Sequence, residues 1–333
     1  MVSDAIRMGH GSGGRLSAEL VREVFLPLFN NPAINALGDA GVFTLDGKRF
    51  ALTTDSFTVR PIFFPGGNIG KLAACGMIND LAVSGARPIF LSAGFILEEG
   101  LALEDLRAIA GSLAQEARGV GAQLVAGDTK VIEGQAGLLI NTTGLGQVLD
   151  CTELGPGRIT EGDTIIVTGT VGDHGLAVLL ARGELGISAS FPSDCAPLWE
   201  LLEPLYQGLG AAVKFARDPT RGGLVTVLNE AVRPGLDFVL DEALVPLLPA
   251  VESASEMLGL DPLYAACEGR AVLFVAPDKA EEAISILNAH PLGRAAAAIG
   301  RVVAGEGLVI GVTRTGGKRV LDMLVEDQYP RIC

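Results

Sequence analysis

Apolar positions along this chain recur in two periods, and the periods alternate. Leu16, Leu20, Val21, Val24, Phe25 and Leu28 fall at helical spacing, so one stripe of a helix is expected to face a core there. Arg49 to Thr54 (RFALTT) reads as a strand that runs into Asp55. A helix is predicted over 70–83 after a Gly-Gly-Asn turn, a strand over 89–96, and a long amphipathic helix over 103–117. A strand over 123–126 enters Gly127-Asp128-Thr129, and one over 137–148 closes this first block. The stretch 151–163, CTELGPGRITEGD, is rich in Gly and charge and poor in periodicity, as a domain junction is. The second block opens with a strand over 164–168. Helices are predicted at about 173–182, 197–212, 222–232 and 278–288, with strands near 236–240, 271–276, 297–303 and 307–313. The expected fold class is α+β, two mixed α/β domains with a flexible C-terminal tail. Its segments are a Gly-rich arm and helix over 1–36, domains over 37–150 and 158–313, and a tail over 314–333. The order of elements is echoed between the halves without a residue-level repeat.

Composition narrows the classes. A length of 333 residues suits two domains, and a hydrophobic fraction of 49% makes them globular. Lys and Arg number 25 against 39 acidic residues, a net charge of −14, which argues against nucleic acid as a partner. Five cysteines, at 75, 151, 195, 267 and 333, are an odd number with no C-x-x-C pair, so neither a disulfide framework nor a Cys-rich zinc site is indicated. The start, MVSDAIRMGHGSGG, has no apolar signal region, and no run of eighteen mostly apolar residues is present. The expectation is a cytoplasmic protein that does not cross a membrane. Cys75, Cys151 and Cys195 read as small structural residues. Cys333, the last residue of the sequence, reads instead as a thiol used for chemistry on a movable arm.

Two common nucleotide motifs are matched only in part. In Gly66-Gly-Asn-Ile-Gly-Lys71 the first glycine of a P-loop falls on Pro65, and Leu72 stands where the metal-binding hydroxyl belongs. Gly9-His-Gly-Ser-Gly-Gly14 satisfies G-x-G-x-x-G, but too few residues precede it for the strand of a dinucleotide fold. Those glycines fit either a flexible arm or an arm of backbone N–H groups that folds over phosphates. His10 within it either contacts phosphate or faces solvent.

A set of acids carries more. Asp39 (GDAG), Asp55 (TTDS), Asp80 (MINDLA), Asp128 (AGDTK) and Asp218 (RDPTRGG) sit among Gly, Thr, Ser and Asn at the predicted ends of elements. Singly, each fits a turn or a helix N-cap. Converging, they would form a Mg²⁺–nucleotide site, because Mg²⁺ takes oxygen ligands from a few carboxylates and substrate phosphates. Lys130 and Lys71 either neutralise phosphate charge or are ordinary solvated side chains. His174, in Gly172-Asp173-His174-Gly175, follows a strand and opens a helix, so it either caps that helix or lies where backbone N–H groups face a nucleotide.

The ordered series HGSGG, LTTDSFTVRPIFFPGGNIGKLAACGMINDLAVSGARP, VAGDTKV, TGTVGDHG, ARDPTRGGL, CEGRAV and PRIC resembles, nearly end to end, the HypE family of hydrogenase maturation factors, which are carbamoyl dehydratases. That family belongs with ATP-using enzymes related to aminoimidazole ribonucleotide synthetase, selenophosphate synthetase and thiamine-monophosphate kinase. The resemblance implies that residues 37–150 bind ATP and mediate a homodimer. It implies ATP and Mg²⁺, with Asp39, Asp55, Asp80, Asp128 and Asp218 on the metal. His10, Lys71, Asn79, Gly127, Thr129, Gly172, Asp173 and His174 would then lie at the nucleotide.

The closing Pro-Arg-Ile-Cys is the part specific to the family. It implies that a carbamoyltransferase, HypF, places a carbamoyl group on Cys333. ATP then phosphorylates the carbamoyl oxygen, and loss of phosphate and of the nitrogen protons leaves a thiocyanate. The cyano group passes to the iron of nickel–iron hydrogenase, with a HypC–HypD complex as acceptor. By motif the base is Glu268 of Cys267-Glu-Gly-Arg270, with Lys130 holding the developing charge or tuning the acid. Without the resemblance Glu268 is simply an acid before a Gly turn. Family members often carry Asn where Cys267 stands, which leaves open what that side chain bonds. Two alternatives share the ATP-site series: a nucleotide-gated carrier, and a selenophosphate synthetase-like enzyme, which the lack of Cys near the Gly-rich arm disfavours.

Overall fold

The computed structural model describes residues 5–134, 137–186 and 191–325. Cys333 and the residues just before it lie outside the described residues. A 3₁₀ turn, Met8–Gly11, leads into a helical run of α1 (Arg15–Leu20), a π-helical stretch Val21–Phe25 and α2 (Leu26–Phe29), then α3 (Pro32–Asn35). The stripe read from 16–28 is helical, but Val24, Phe25 and Leu28 remain exposed instead of facing a core. Phe25 stacks on Phe29 at 6.3 Å between ring centroids, so the apolar face is held locally.

The first sheet contains β1 (Gly41–Leu45), β2 (Lys48–Phe57), β5 (Ala86–Glu98), β6 (Gln123–Ile132) and β7 (Leu138–Val148), in the order β1-β2-β7-β5-β6. A small hairpin, β3 (Phe63–Phe64) with β4 (Gly67–Asn68), precedes α4 (Ile69–Val83). All neighbours in the sheet are antiparallel except β5 and β6, which need a crossover and receive α5 (Leu103–Gly119). Alternation along β2 buries Ala51, Thr53 and Phe57 on the helix side and leaves Leu52 exposed on the other.

Helix α4 is apolar nearly all round and is buried nearly all round. Its start is fixed by Asn68, whose Oδ1 accepts from Gly70 N at 2.9 Å and Lys71 N at 3.1 Å. Gly70 permits close approach to α5, since a Cβ there would sit 2.0 Å from Ile109 O. On its far side Tyr206 Oη donates to Ala82 O at 3.0 Å. The helix therefore ties the first sheet to the second half of the chain.

The second sheet runs β14-β13-β10-β12-β8-β11-β9. Its strands are β8 (Thr164–Val167), β9 (Val213–Arg217), β10 (Gly235–Asp241), β11 (Val272–Val275), β12 (Ala297–Gly305), β13 (Val309–Val312) and β14 (Lys318–Val320). Helices α6 (Asp173–Ala181), α7 (Trp199–Leu209), α8 (Gly223–Ala231), α9 (Pro249–Leu258) and α10 (Ala280–Asn288) accompany it. Both faces are covered: Ile166 joins the core shared with α4, while Ile165 and Val167 join a second core with α8. That explains why Thr164-Ile-Ile-Val reads as a continuous apolar run instead of an alternating one.

Several elements go beyond the sequence reading: α3, β1, the β3–β4 hairpin, β9, α9 and β14. Strand β14 pairs with β13 inside the segment expected as tail; Lys-Arg-Val is too short and polar to signal a strand by period. Strand β6 extends through Gly127-Asp128-Thr129-Lys130 to Ile132, so these residues are strand and not a turn after one.

Candidate active site

Asp39 precedes β1, Asp80 lies within α4, and Asp218 follows β9. The fold brings one carboxylate oxygen of each within 4.8 Å of the others. Asp55, on the helix side of β2, lines the same pocket with Asp80, Asp218, Thr220, Arg221 and Glu268. Asp218 is followed by Pro-Thr-Arg and then Gly222 and Gly223, with φ of +73° and +62°. Only glycine holds two such residues in succession without strain, so RDPTRGG turns sharply enough to leave Asp218 in the pocket and start α8.

The cluster is electrostatically crowded. Burial, followed by the Asp218, Asp39 and Asp55 carboxylates, pushes the Asp80 carboxyl well above the usual range; a bond from Thr53 Oγ1 to Asp80 Oδ2 at 2.6 Å offsets this in part. Burial and then Asp39 push Asp218 well up. Burial also raises Asp39, against the pull of Arg217, whose Nε lies 2.9 Å from Asp39 Oδ1. Arg217 Nη1 also reaches Glu230 Oε2 at 3.1 Å, so its charge is shared. Among the described residues Asp218 Oδ2 is buried without a hydrogen-bond partner. Three hard oxygen donors, one of them unpartnered, fit a divalent cation such as Mg²⁺.

Glu268 stands at the same pocket, 2% exposed. Burial, then Cys195, Asp218, Asp194 and Asp55, hold its carboxyl well above the usual range. The bond left open at Cys267 is an internal one: Cys267 Sγ accepts from Gly172 N at 3.2 Å, and burial pushes the thiol well up. The Gly-rich arm lies at the rim. Arg221 Nη1 donates to Gly11 O at 2.8 Å, and a Cβ on Gly13 would meet Arg221 Cβ at 2.6 Å. His10 sits in that arm, its Nδ1 accepting from Arg7 N.

Several expected nucleotide contacts are placed elsewhere. Asn79 is fully buried, and its amide donates to Ala196 O and Glu268 O and accepts from Leu198 N, so it is an internal clamp. Gly172 N is taken by Cys267. Asp173 bonds Thr170 and faces Arg270; its carboxyl is pushed up to about 6, chiefly by burial. His174 is fully buried, with Nδ1 2.8 Å from Ser193 Oγ and its ring edge-on to Phe64. The start of α6 is thus not a free helix end: Cys267, Thr170 and Arg270 of its own domain occupy Gly172 and Asp173, and His174 packs between Ser193 and the first domain's Phe64. Lys71 turns back on its own loop, Nζ donating to Gly66 O at 3.1 Å.

Asp128 and Lys130 do not join the cluster. The row Ser56–Asn141–Gly94–Asp128 crosses the sheet on its open face, whereas Asp55 faces α4. Three strand spacings of about 4.8 Å put Asp128 about 14 Å from Ser56. Lys130 Nζ instead pairs with Asp128 Oδ2 at 3.1 Å, both exposed, and that contact lowers Asp128. Gly127 and Thr129 lie on the same exposed edge strand. The sequence reading missed Thr53, Arg217, Thr220 and Arg221. A signal for them existed, since each stands within two residues of a chosen acid or in the RDPTRGG turn.

Comparison with known proteins fits this geometry. Residues 37–148 match the AIR synthase related protein N-terminal domain and residues 160–313 its C-terminal domain. A carbamoyl dehydratase HypE from Rhizobium leguminosarum bv. viciae is 44% identical over 332 residues, covering 98% of this chain and 95% of the relative. The solved HypE–HypF complex contains a chain that is 44% identical, with a TM-score of 0.86, covering 92% of this chain and 99% of that one. A crystal structure of the hydrogenase maturation protein HypE in complex with ATP aligns with a TM-score of 0.81 at 42% identity, covering 99% and 100%. Among the described residues no helix is long and apolar enough to cross a membrane.

Proposed function

The chain belongs to the HypE family of carbamoyl dehydratases, and on that premise we propose that it uses ATP to dehydrate an S-carbamoyl group on Cys333 to an S-cyano group, supplying cyanide ligands for the iron of nickel–iron hydrogenase. The observation that carries this reading is the meeting of two kinds of acid at one pocket: the Asp39–Asp80–Asp218 cluster and the buried Glu268.

The chemistry suits that pair. The carbamoyl oxygen attacks the γ-phosphoryl group of ATP, ADP leaves, and phosphate later departs with the oxygen as nitrogen loses its two protons and the carbon–nitrogen triple bond forms. Phosphorylation turns a poor leaving group into a good one. Bound Mg²⁺ would neutralise charge on the transferring phosphoryl group. Asp39, Asp80 and Asp218 would hold it, with Asp55 beside them. Glu268 accepts a nitrogen proton, and its raised affinity for that proton makes it an effective acceptor once ionised.

Reach supports Cys333 as carrier. Leu324 O accepts from Arg15 N at 2.9 Å, which holds the last described residues beside the arm that covers Arg221. The eight residues beyond Val325 span up to about 26 Å at about 3.3 Å each. HypF is the proposed carbamoyl donor, a HypC–HypD complex the acceptor, and the cytoplasm the location. A homodimer accounts for the exposed β6 edge with Leu124, Val125 and Val131. Packing of the open sheet faces, on which Asp128 and Lys130 lie, would bring the partner's Asp128 and the partner's Lys130 to the pocket, whereas extension of the sheet at the β6 edge would set them a strand farther away.

The test is to incubate carbamoylated protein with Mg-ATP and follow the C-terminal peptide by mass spectrometry. ATP-dependent loss of one water from the Cys333 adduct is expected. An unchanged adduct in protein that still binds ATP would favour a carrier. Glu268→Gln should accept the carbamoyl group and fail to dehydrate it; normal turnover would remove Glu268 from the mechanism.

A further inference from the structure

Glu268 is the least constrained part of the reading by sequence, yet its peptide is held on both sides. Asp194, in the loop before α7, has a side chain with no exposed surface. Its Oδ1 and Oδ2 each accept from Glu268 N at 3.2 Å, and Oδ2 also accepts from Gly269 N at 3.1 Å. On the other side Glu268 O accepts from Ala196 N at 3.3 Å and from the Asn79 amide at 3.1 Å. Gly269 must be glycine for this packing, because a Cβ there would lie 2.0 Å from Asp194 O.

The loop is itself anchored to both domains. Ser193 N donates to Pro65 O at 2.8 Å, and Ser193 Oγ lies 2.8 Å from His174 Nδ1. Asp194 therefore couples the Glu268 backbone to a frame built by the first domain and α6. A carboxylate that accepts both backbone N–H groups of one turn, the Glu268 N–H shared between its two oxygens, leaves that turn little freedom.

We propose that Asp194 is a positioning residue for the dehydration: it fixes the Cys267–Glu268–Gly269 turn so that the Glu268 carboxylate meets the substrate nitrogen. This rests on the assignment of Glu268 as proton acceptor. Asp194 touches neither ATP nor the acid cluster in this role, so its loss slows proton removal without weakening nucleotide binding. A misplacement of about 1 Å at a reacting group costs on the order of 100-fold.

The test uses the full chain, carbamoylated, in single turnover with Mg-ATP, and compares Asp194→Asn, Glu268→Gln and the double variant. Asn keeps the shape of Asp but turns one acceptor into a donor, which in either amide orientation faces the Glu268 N–H. Expected is a fall of about 10- to 100-fold in the rate of water loss for Asp194→Asn, with KM for ATP within about twofold of wild type. In the Glu268→Gln background the Asp194 substitution should add nothing further, since it acts through Glu268. A rate within about twofold of wild type for Asp194→Asn, or full additivity in the double variant, overturns the proposal while leaving the dehydratase reading intact. Normal turnover by Glu268→Gln overturns the role of Glu268 itself and this proposal with it. Should Asp194→Asn not fold, Asn79→Ser, which loosens the same peptide from its carbonyl side, carries the same comparison with the same outcomes.

Discussion

Replacing Asp218 by Asn removes one of three carboxylates held within 4.8 Å of one another. At an effective dielectric of about 20, two unit charges at that separation repel by about 3.5 kcal/mol. Protonation limits the penalty, because binding a proton to an ordinary carboxyl at pH 7.5 costs about 5 kcal/mol. Attraction from Arg217 offsets part of the repulsion, and Asp218 Oδ2 forfeits no hydrogen bond among the described residues. A net gain of about 1–3 kcal/mol is expected for the metal-free protein, or a rise of about 1–4 °C in melting temperature for a chain of this length. The pH dependence has a definite sign. Asp80 and Asp218 hold their protons above the unfolded range, so the folded state binds more protons in that window. Stability is greatest below the unfolded pKa and falls as pH rises towards the folded value. Thermal melts in EDTA from pH 5 to 7.5 should therefore show the wild type losing stability with pH more steeply than Asp218→Asn. Mg-ATP should raise the wild-type melting temperature most at high pH and raise the variant little. A variant that melts lower than wild type in EDTA while keeping the full Mg-ATP response would refute the electrostatic argument.

Cys333→Ala should keep the fold and ATP binding but form no carbamoyl adduct; an adduct on another cysteine, found by peptide mass spectrometry, would sink the carrier assignment. Lys130→Ala breaks only an exposed pair with Asp128, so its thermal stability should change by less than about 1 kcal/mol. If the partner's Lys130 completes the site, dehydration falls nonetheless, and mixing Lys130→Ala with an otherwise inactive Glu268→Gln protein should restore some activity through hybrid dimers. Gly76→Ala places a Cβ 2.7 Å from the Phe57 ring, and the overpacking should cost about 1–3 kcal/mol in denaturant melts. No loss there would mean that β2 and α4 yield more easily than their packing indicates.

The alternation of strand and helix, the junction near 151–163 and the candidate acids follow from neighbours in the chain: period, turn chemistry and short motifs. Alternation along β2 already set Thr53, Asp55 and Phe57 on one side, and the double glycine of RDPTRGG already required a turn after Asp218. Which acids meet was decided only by tertiary structure. Asp39, Asp80 and Asp218 come from a loop, a helix and a strand end that share no local pattern. Asp128 carries the same motif chemistry but sits on an edge strand, on the opposite face from Asp55, because its register across β7 and β5 puts it there. Asn79 and His174 looked available because sequence does not reveal which hydrogen bonds burial has already claimed. Asp194 gave no local signal, since its two N–H partners, Glu268 and Gly269, lie more than seventy residues away in the chain. Short-range order is encoded where the residues stand; a buried charge acquires its partners, and so its role, only when distant segments close around it.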